Sequence, residues 1–133
     1  MRFIDANVFI GLQNQDDVFH AKARELMAAI ETGRYGEAFT SDYVFNEVVG
    51  VTNRKQGKYA SLKIGDLIRN STFLLNINGH QLDEAWKIFT KTKLPLSLVD
   101  CTNLVALKLA NTTFIATFDK QFEKIKGVEV VCF

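Results

Sequence analysis

Four carboxylates in this 133-residue chain stand where a hydrolytic site could form: Asp5, Glu47, Asp100 and Asp119. Carboxylates brought together repel, which raises their pKa values unless a cation neutralises them. Hard divalent ions such as Mg²⁺ and Mn²⁺ take oxygen ligands of this kind. Carboxylate-held metal that polarises a phosphate and activates water is one means of hydrolysing phosphodiesters. Each acid also has an ordinary reading. An Asp after a strand is often the N-cap of the next helix, which would account for Asp5 or Asp119. Glu47 lies too deep in its helix to cap it, but it could be solvated at the rim of the apolar stripe or paired with Lys or Arg. Ser97-Leu-Val-Asp100 fits a capping box.

The joint case rests on the elements that position these acids. Phe3-Ile4 reads as a short strand ending at Asp5, and Ala6 to Leu12 as a helical turn or two. Asp16 and Asp17 open a predicted helix running to Ile30, closed by Gly33 and Gly36. Glu37 to Thr40 is a short strand. Thr40-Ser41-Asp42 offers N-caps for a helix with Val44, Val48 and Val51 on one stripe. At about 100° per residue, Glu47 falls at the edge of that stripe. Beyond Gly57 come an amphipathic helix (Tyr59 to Arg69), a β-prone run (Thr72 to Ile77) closed by Asn78-Gly79, and a helix from His80 to Thr90. Pro95 lies in the loop before a helix from Leu98 to Ala110. That helix puts Asp100 on the face of Leu104 and Leu107, with Asn103 able to donate a hydrogen bond to Asp100. A strand at Thr113 to Thr117, a short helix at Lys120 to Ile125 and a last strand at Val128 to Phe133 complete the chain.

Short strands alternating with helices predict one α/β domain over residues 1–133, with a mainly parallel sheet. In such sheets ligands bind at the carboxyl ends of the strands. Asp5 and Asp119 are expected at that edge.

Composition narrows the classes. A hydrophobic fraction of 47% is ordinary for a globular chain. A net charge of +1 argues against a module that grips nucleic acid through many Lys and Arg contacts. A nucleic-acid substrate would need a local device for its phosphates, and bound metal is the obvious one. Cys101 and Cys132 lack the spacing of a zinc ribbon or finger, and two free thiols suit a reducing cytosol. No apolar run reaches the roughly 18–20 residues of a membrane span, so a cytoplasmic protein without membrane attachment is expected.

The motifs resemble, in order and spacing, those of the PIN domains, and within them the single-domain toxins of the VapC type. Phe3-Ile-Asp5-Ala-Asn7-Val-Phe9 resembles the first motif and Asp42-Tyr-Val-Phe-Asn-Glu47-Val the second. Leu96-Ser-Leu-Val-Asp100-Cys-Thr-Asn103 resembles the third, and Ala116-Thr117-Phe-Asp119-Lys-Gln-Phe122 the fourth. The last two are the most specific. The resemblance implies a three-layer α/β/α sandwich, and an acidic pocket of Asp5, Glu47, Asp100 and Asp119 that holds Mg²⁺ or Mn²⁺. It also implies that Asn7 and Thr117 orient carboxylates or water. Ala6 stands where Thr or Ser is common. Asn103 stands where some members carry another acid or a Ser, which would lower the pocket's charge and weaken a second metal. The implied activity is hydrolysis of single-stranded RNA. The implied partners are an antitoxin that covers the acidic groove and a second copy of the chain in a homodimer.

Other classes fit less well. A phosphatase of the haloacid dehalogenase type needs D-x-D at the first strand, and Asn7 occupies the third position. A receiver domain needs a phospho-accepting Asp after a middle strand, where Asn78 stands. An RNA-processing nuclease outside a toxin–antitoxin pair, and a PIN-type module that binds RNA or protein without cutting, remain as alternatives. His20 and His80 fall outside the motifs and are expected to do no catalytic work.

Overall fold

The computed structural model describes residues 1–34 and 36–131. Its elements follow in order β1 (Arg2–Ile4), α1 (Ala6–Gln13), α2 (His20–Glu31), β2 (Ala38–Ser41), α3 (Asp42–Gln56) and α4 (Lys58–Ser71). After these come β3 (Phe73–Leu75), α5 (Gly79–Lys91), α6 (Leu98–Leu109), β4 (Phe114–Ala116), a 3-10 helix (Lys120–Lys124) and β5 (Glu129–Val131). The five strands form one sheet in the order β3-β2-β1-β4-β5. Every pairing is parallel, with Phe3 opposite both Phe39 and Ile115. The predicted α/β fold with a parallel sheet is therefore the observed one.

Connectivity explains the three layers. The chain moves outward from β1 through β2 to β3, then jumps back across the sheet to β4 and β5. With right-handed crossovers, the reversal puts α1 to α4 on one face and α5, α6 and the 3-10 helix on the other. The strand order reverses between β1 and β4, and the crevice at such a switch point is where open α/β sheets take ligands.

The three inner strands, β2, β1 and β4, are fully or partly buried along their length, as parallel strands should be, whereas the edge strands β3 and β5 each expose one residue, Phe73 and Glu129. Phe3, Ile4, Phe39 and Ile115 are sealed from solvent and pack with Val8, Phe9, Val44, Val48, Ile64 and Ile68. Phe3 and Phe39 meet edge to face at 5.2 Å. Truncating either to Ala should cost about 3–5 kcal/mol by the usual cavity penalty. A second cluster, Ala85, Leu96, Cys101 and Val105, joins α5 to α6. Cys101 is a buried free thiol, and Cys132 lies outside the described residues. Among the described residues no helix is long and apolar enough to cross a membrane.

Several local expectations are corrected. The α2 helix starts at His20, not at Asp16 or Asp17. Asp17 instead accepts a hydrogen bond from the Phe19 amide at 2.8 Å, and Asn14 accepts one from the Asp16 amide at 3.0 Å. Such local side-chain bonds give the backbone a turn in place of a helix. Of the three N-cap candidates for α3, Ser41 takes the role by accepting from the Val44 amide. Thr40 donates to the Ile4 carbonyl at 2.8 Å, tying β2 to β1. Asn78 and Gly79 do more than end a strand: Asn78 opens α5 through a reciprocal capping box with Gln81. The run from Thr72 to Ile77 contributes only Phe73–Leu75 to the sheet. The short helix after Asp119 is of 3-10 type. The last strand is described as Glu129–Val131, and the remainder of its predicted run, Cys132 and Phe133, lies outside the described residues.

Candidate active site

Asp5 leaves β1 at the switch point. Its backbone amide still donates to the Ala116 carbonyl of β4 at 3.0 Å, so its side chain emerges between the two central strands. It is 5% exposed, and three donors converge on it. Oδ1 accepts from the Ala6 amide at 2.8 Å and from Asn103 Nδ2 at 3.0 Å, and Oδ2 accepts from the Thr117 hydroxyl at 2.8 Å. Burial nevertheless dominates and raises its pKa to about 6 against the Thr117 and Ala6 hydrogen bonds, and the charge of Asp100 adds in the same direction.

Thr117 is the connecting group of the site. Besides donating to Asp5, its hydroxyl accepts from Asn7 Nδ2 at 3.1 Å and from the Asp119 amide at 3.1 Å. Asn7 in turn accepts from the Phe118 amide through Oδ1 at 3.1 Å. The chain after β4 is thereby pinned to the first turn of α1. Asn103 is fully buried and reaches from α6 to Asp5, and not to Asp100 as its i+3 spacing suggested. Asp100 is engaged instead at the start of its own helix, accepting through Oδ2 from the Ser97 amide at 2.9 Å in the capping box that opens α6. Asp119 caps the 3-10 helix by accepting from the Gln121 amide through Oδ1 at 2.9 Å. The ordinary readings of three acids are therefore true, and they are compatible with a shared site. Each of Asp100 and Asp119 caps with one oxygen, and the other oxygen has no hydrogen bond among the described residues.

Glu47 differs. The buried stripe of α3 is Val44, Val48 and Thr52, with Val51 only partly covered. That turns the stripe away from Glu47 and leaves it exposed. No hydrogen bond or ion pair holds its carboxylate among the described residues. Partial desolvation and then Asp100 raise its pKa. Asp100 is raised by burial and by Asp119, against the two Ser97 hydrogen bonds. Asp100 thus feels or perturbs each of the other three acids.

All four line one open hollow of about 150 Å³, together with Ala6, Asn7 and Ile10. Among the described residues no Lys or Arg pairs with any of them. Nor are three acidic, His or Cys side chains already arranged as a metal cage. The donor set nonetheless suits a hard cation, because it offers only oxygens and no competing cation. Mg²⁺ keeps several waters and needs only one or two direct carboxylates, and the hollow has room for a few waters. The Oδ1 of Asn103 is buried with no partner among the described residues, while its Nδ2 holds Asp5. His20 and His80 stand elsewhere: His20 bonds the Gly11 carbonyl at 2.8 Å, and His80 meets Glu84 at 3.5 Å on α5.

One feature beside the hollow has no counterpart in the sequence reading. Phe19, just before α2, and Phe118, between Thr117 and Asp119, stack at 4.5 Å with a 10° interplanar angle. Their separation in sequence hides the pair, although Phe118 within a Thr-x-Asp motif could have drawn notice.

The fold has close relatives among solved structures. The chain superimposes on VapC20 of Mycobacterium tuberculosis, described as a sarcin-ricin loop cleaving toxin, with a TM-score of 0.84 and 21% identity over 93% of this chain and 94% of that one. It also matches VapBC2 of Rickettsia felis, solved on a promoter DNA fragment, with a TM-score of 0.72 and 11% identity over 98% and 96% of the two chains. A toxin–antitoxin complex from Klebsiella pneumoniae gives 0.69 and 18% over 97% and 96%. No curated protein matches in sequence. A family model for the PIN domain matches residues 2–128, and with nearly the whole length covered, the chain belongs to the PIN domain family.

Proposed function

We propose that this PIN domain is a divalent-metal-dependent ribonuclease acting on single-stranded RNA, and the toxin of a toxin–antitoxin pair. The observation that carries the reading is the meeting of Asp5, Glu47, Asp100 and Asp119, from four separate segments, around one hollow with no Lys or Arg pairing among the described residues. Mg²⁺ or Mn²⁺ would be held by these four carboxylates. The chemistry supplied by a bound ion is charge neutralisation at the phosphodiester and acidification of a water. Thr117 and Asn103 fix both oxygens of Asp5, and Thr117 fixes the Asp119 backbone, so the hollow is shaped before any ligand arrives. Glu47 and the second oxygens of Asp100 and Asp119 remain available to orient a water for in-line attack. No Ser, Cys or His nucleophile is needed.

An antitoxin partner is supported by the complexes among the structural neighbours. A homodimer and a cytoplasmic setting are consistent with the toxin reading. Purified protein incubated with mixed RNA and Mn²⁺ should cleave it, and chelator should stop the reaction. Metal-dependent cleavage of no RNA would favour a binding module instead. Cleavage by a protein whose gene has no antitoxin neighbour would favour an RNA-processing nuclease.

A further inference from the structure

We propose that the aromatic pocket next to the acidic hollow seats one base of the RNA strand whose phosphate lies over the acids. The inference rests on the ribonuclease reading and names the substrate's second point of contact. The pocket, about 130 Å³, shares Asp119 with the hollow and reaches toward β5 at Val130, and Thr117, which donates to Asp5, also lines it. Its walls are the stacked rings of Phe19 and Phe118 together with Val130.

The occupant follows from the wall chemistry. Asp119 and Glu123 border the pocket, and two carboxylates repel a phosphate. Aromatic and aliphatic walls favour a neutral planar ring, and bases stack on aromatic side chains with little regard to sequence. Lys22 and Lys120, both exposed, flank the same opening and are placed to meet phosphates on either side of a seated base. Because Asp119 borders both openings, a base seated in the pocket would leave its neighbouring phosphate near the hollow, where a bound cation would offset the acids. The Phe118 amide bond to Asn7 holds the ring in fixed relation to Asp5, so stacking would set the register of the cleaved bond.

The test compares Phe19→Ala, Phe19→Tyr and the unchanged protein, with melting temperature checking the fold. Binding of fluorescent oligouridine and oligoadenosine of about ten nucleotides, the scale of known single-strand sites, is read by anisotropy in EDTA and again in Ca²⁺. Phe19→Ala should weaken binding by about 5- to 100-fold, as loss of one stacked base does, while Phe19→Tyr should stay near the unchanged protein. A chain of abasic ribonucleotides of the same length should bind weakly to all three and show no dependence on position 19. With Mn²⁺, Phe19→Ala should raise KM more than it lowers kcat. Equal binding of the normal and abasic chains by the unchanged protein overturns the proposal, and that arm needs no variant to fold. So does a folded Phe19→Ala protein with unaltered binding and KM, which would assign the pocket to a protein side chain. RNA binding that depends on Phe19 without any cleavage would sink the nuclease reading and leave the base pocket standing. Cleavage indifferent to Phe19 would do the reverse.

Discussion

Asp5 and Glu47 face the same hollow under opposite constraints. Asp5 is buried, held by three donors, and fixed between the two central strands. Glu47 is exposed on α3 with no hydrogen bond or ion pair among the described residues. One side of the hollow is preset by folding, whereas the other can adjust when a ligand arrives. A wholly rigid set of four carboxylates would carry its full repulsion at all times. A wholly mobile set would lose entropy on every binding event. Dividing the site between a fixed and a free half limits both costs.

The largest test of this contrast is Asp5→Asn. Cleavage should fall by about 10³-fold or more, the scale of losing a main electrostatic stabiliser of the transition state. The fold should survive and gain stability at neutral pH. The Asp5 pKa is raised to about 6 from 3.8, so the folded protein binds more protons than the unfolded chain between those values. The associated stability is present below pH 3.8 and lost as the pH rises through about 6. In chelator, denaturant titrations should therefore show the unchanged protein firmer at pH 5 than at pH 8, by an amount on the order of 1 kcal/mol from Asp5. Asp5→Asn should lose much of that difference. The raised carboxyls of Glu47 and Asp100 act in the same direction, so some of it should persist. A variant that is both inactive and less stable at pH 8 would contradict the fixed-half description.

Thr117→Val comes next. It removes the donor to Asp5 and the acceptor of Asn7 and the Asp119 amide. Activity should drop by about 10- to 100-fold, as for lost groups that orient metal ligands, and stability by about 1–3 kcal/mol for the unsatisfied partners. Thr117→Ser should recover most of both, measured by RNA cleavage and thermal melting. Glu47→Gln should cost about 10-fold in activity through weaker metal binding and leave stability within about 0.5 kcal/mol. A large loss of stability there would show that Glu47 is as constrained as Asp5. With Mn²⁺ present, the smallest effect on activity is expected of Asn103→Asp. A fifth carboxylate, buried against Asp5 in place of a donor, should lower the melting temperature in EDTA, and the gap should narrow as Mn²⁺ is added, because metal offsets the added repulsion.

Much of this arrangement was legible in the sequence, for identifiable reasons. Alternating short apolar runs and helical stripes specify the parallel sheet, and the strand-to-Asp junctions put Asp5 and Asp119 at its carboxyl edge. Asn7 and Thr117 were reachable only through the resemblance to PIN domains, because a bond between residues 110 apart leaves no local pattern. Local spacing misdirected in two places. The i+3 relation of Asn103 to Asp100 suggested a bond that tertiary packing gives to Asp5. Val51 looked like the stripe of α3, where Thr52 is the buried residue, and the shift turns Glu47 outward. Asx turns at Asn14 and Asp17 delayed α2, since a side chain that bonds its own turn competes with the helix it would otherwise begin.

Two of the acids open true α-helices, α1 at Asp5 and α6 near Asp100. The aligned peptide units of those helices place partial positive charge at the ends that border the hollow. For the proposed RNA substrate, those ends would add polarity of favourable sign to that of a cation held by the acids. On a chain with a net charge of only +1, that would confine phosphate binding to one small spot, without the basic surface that would hold a polyanion everywhere else.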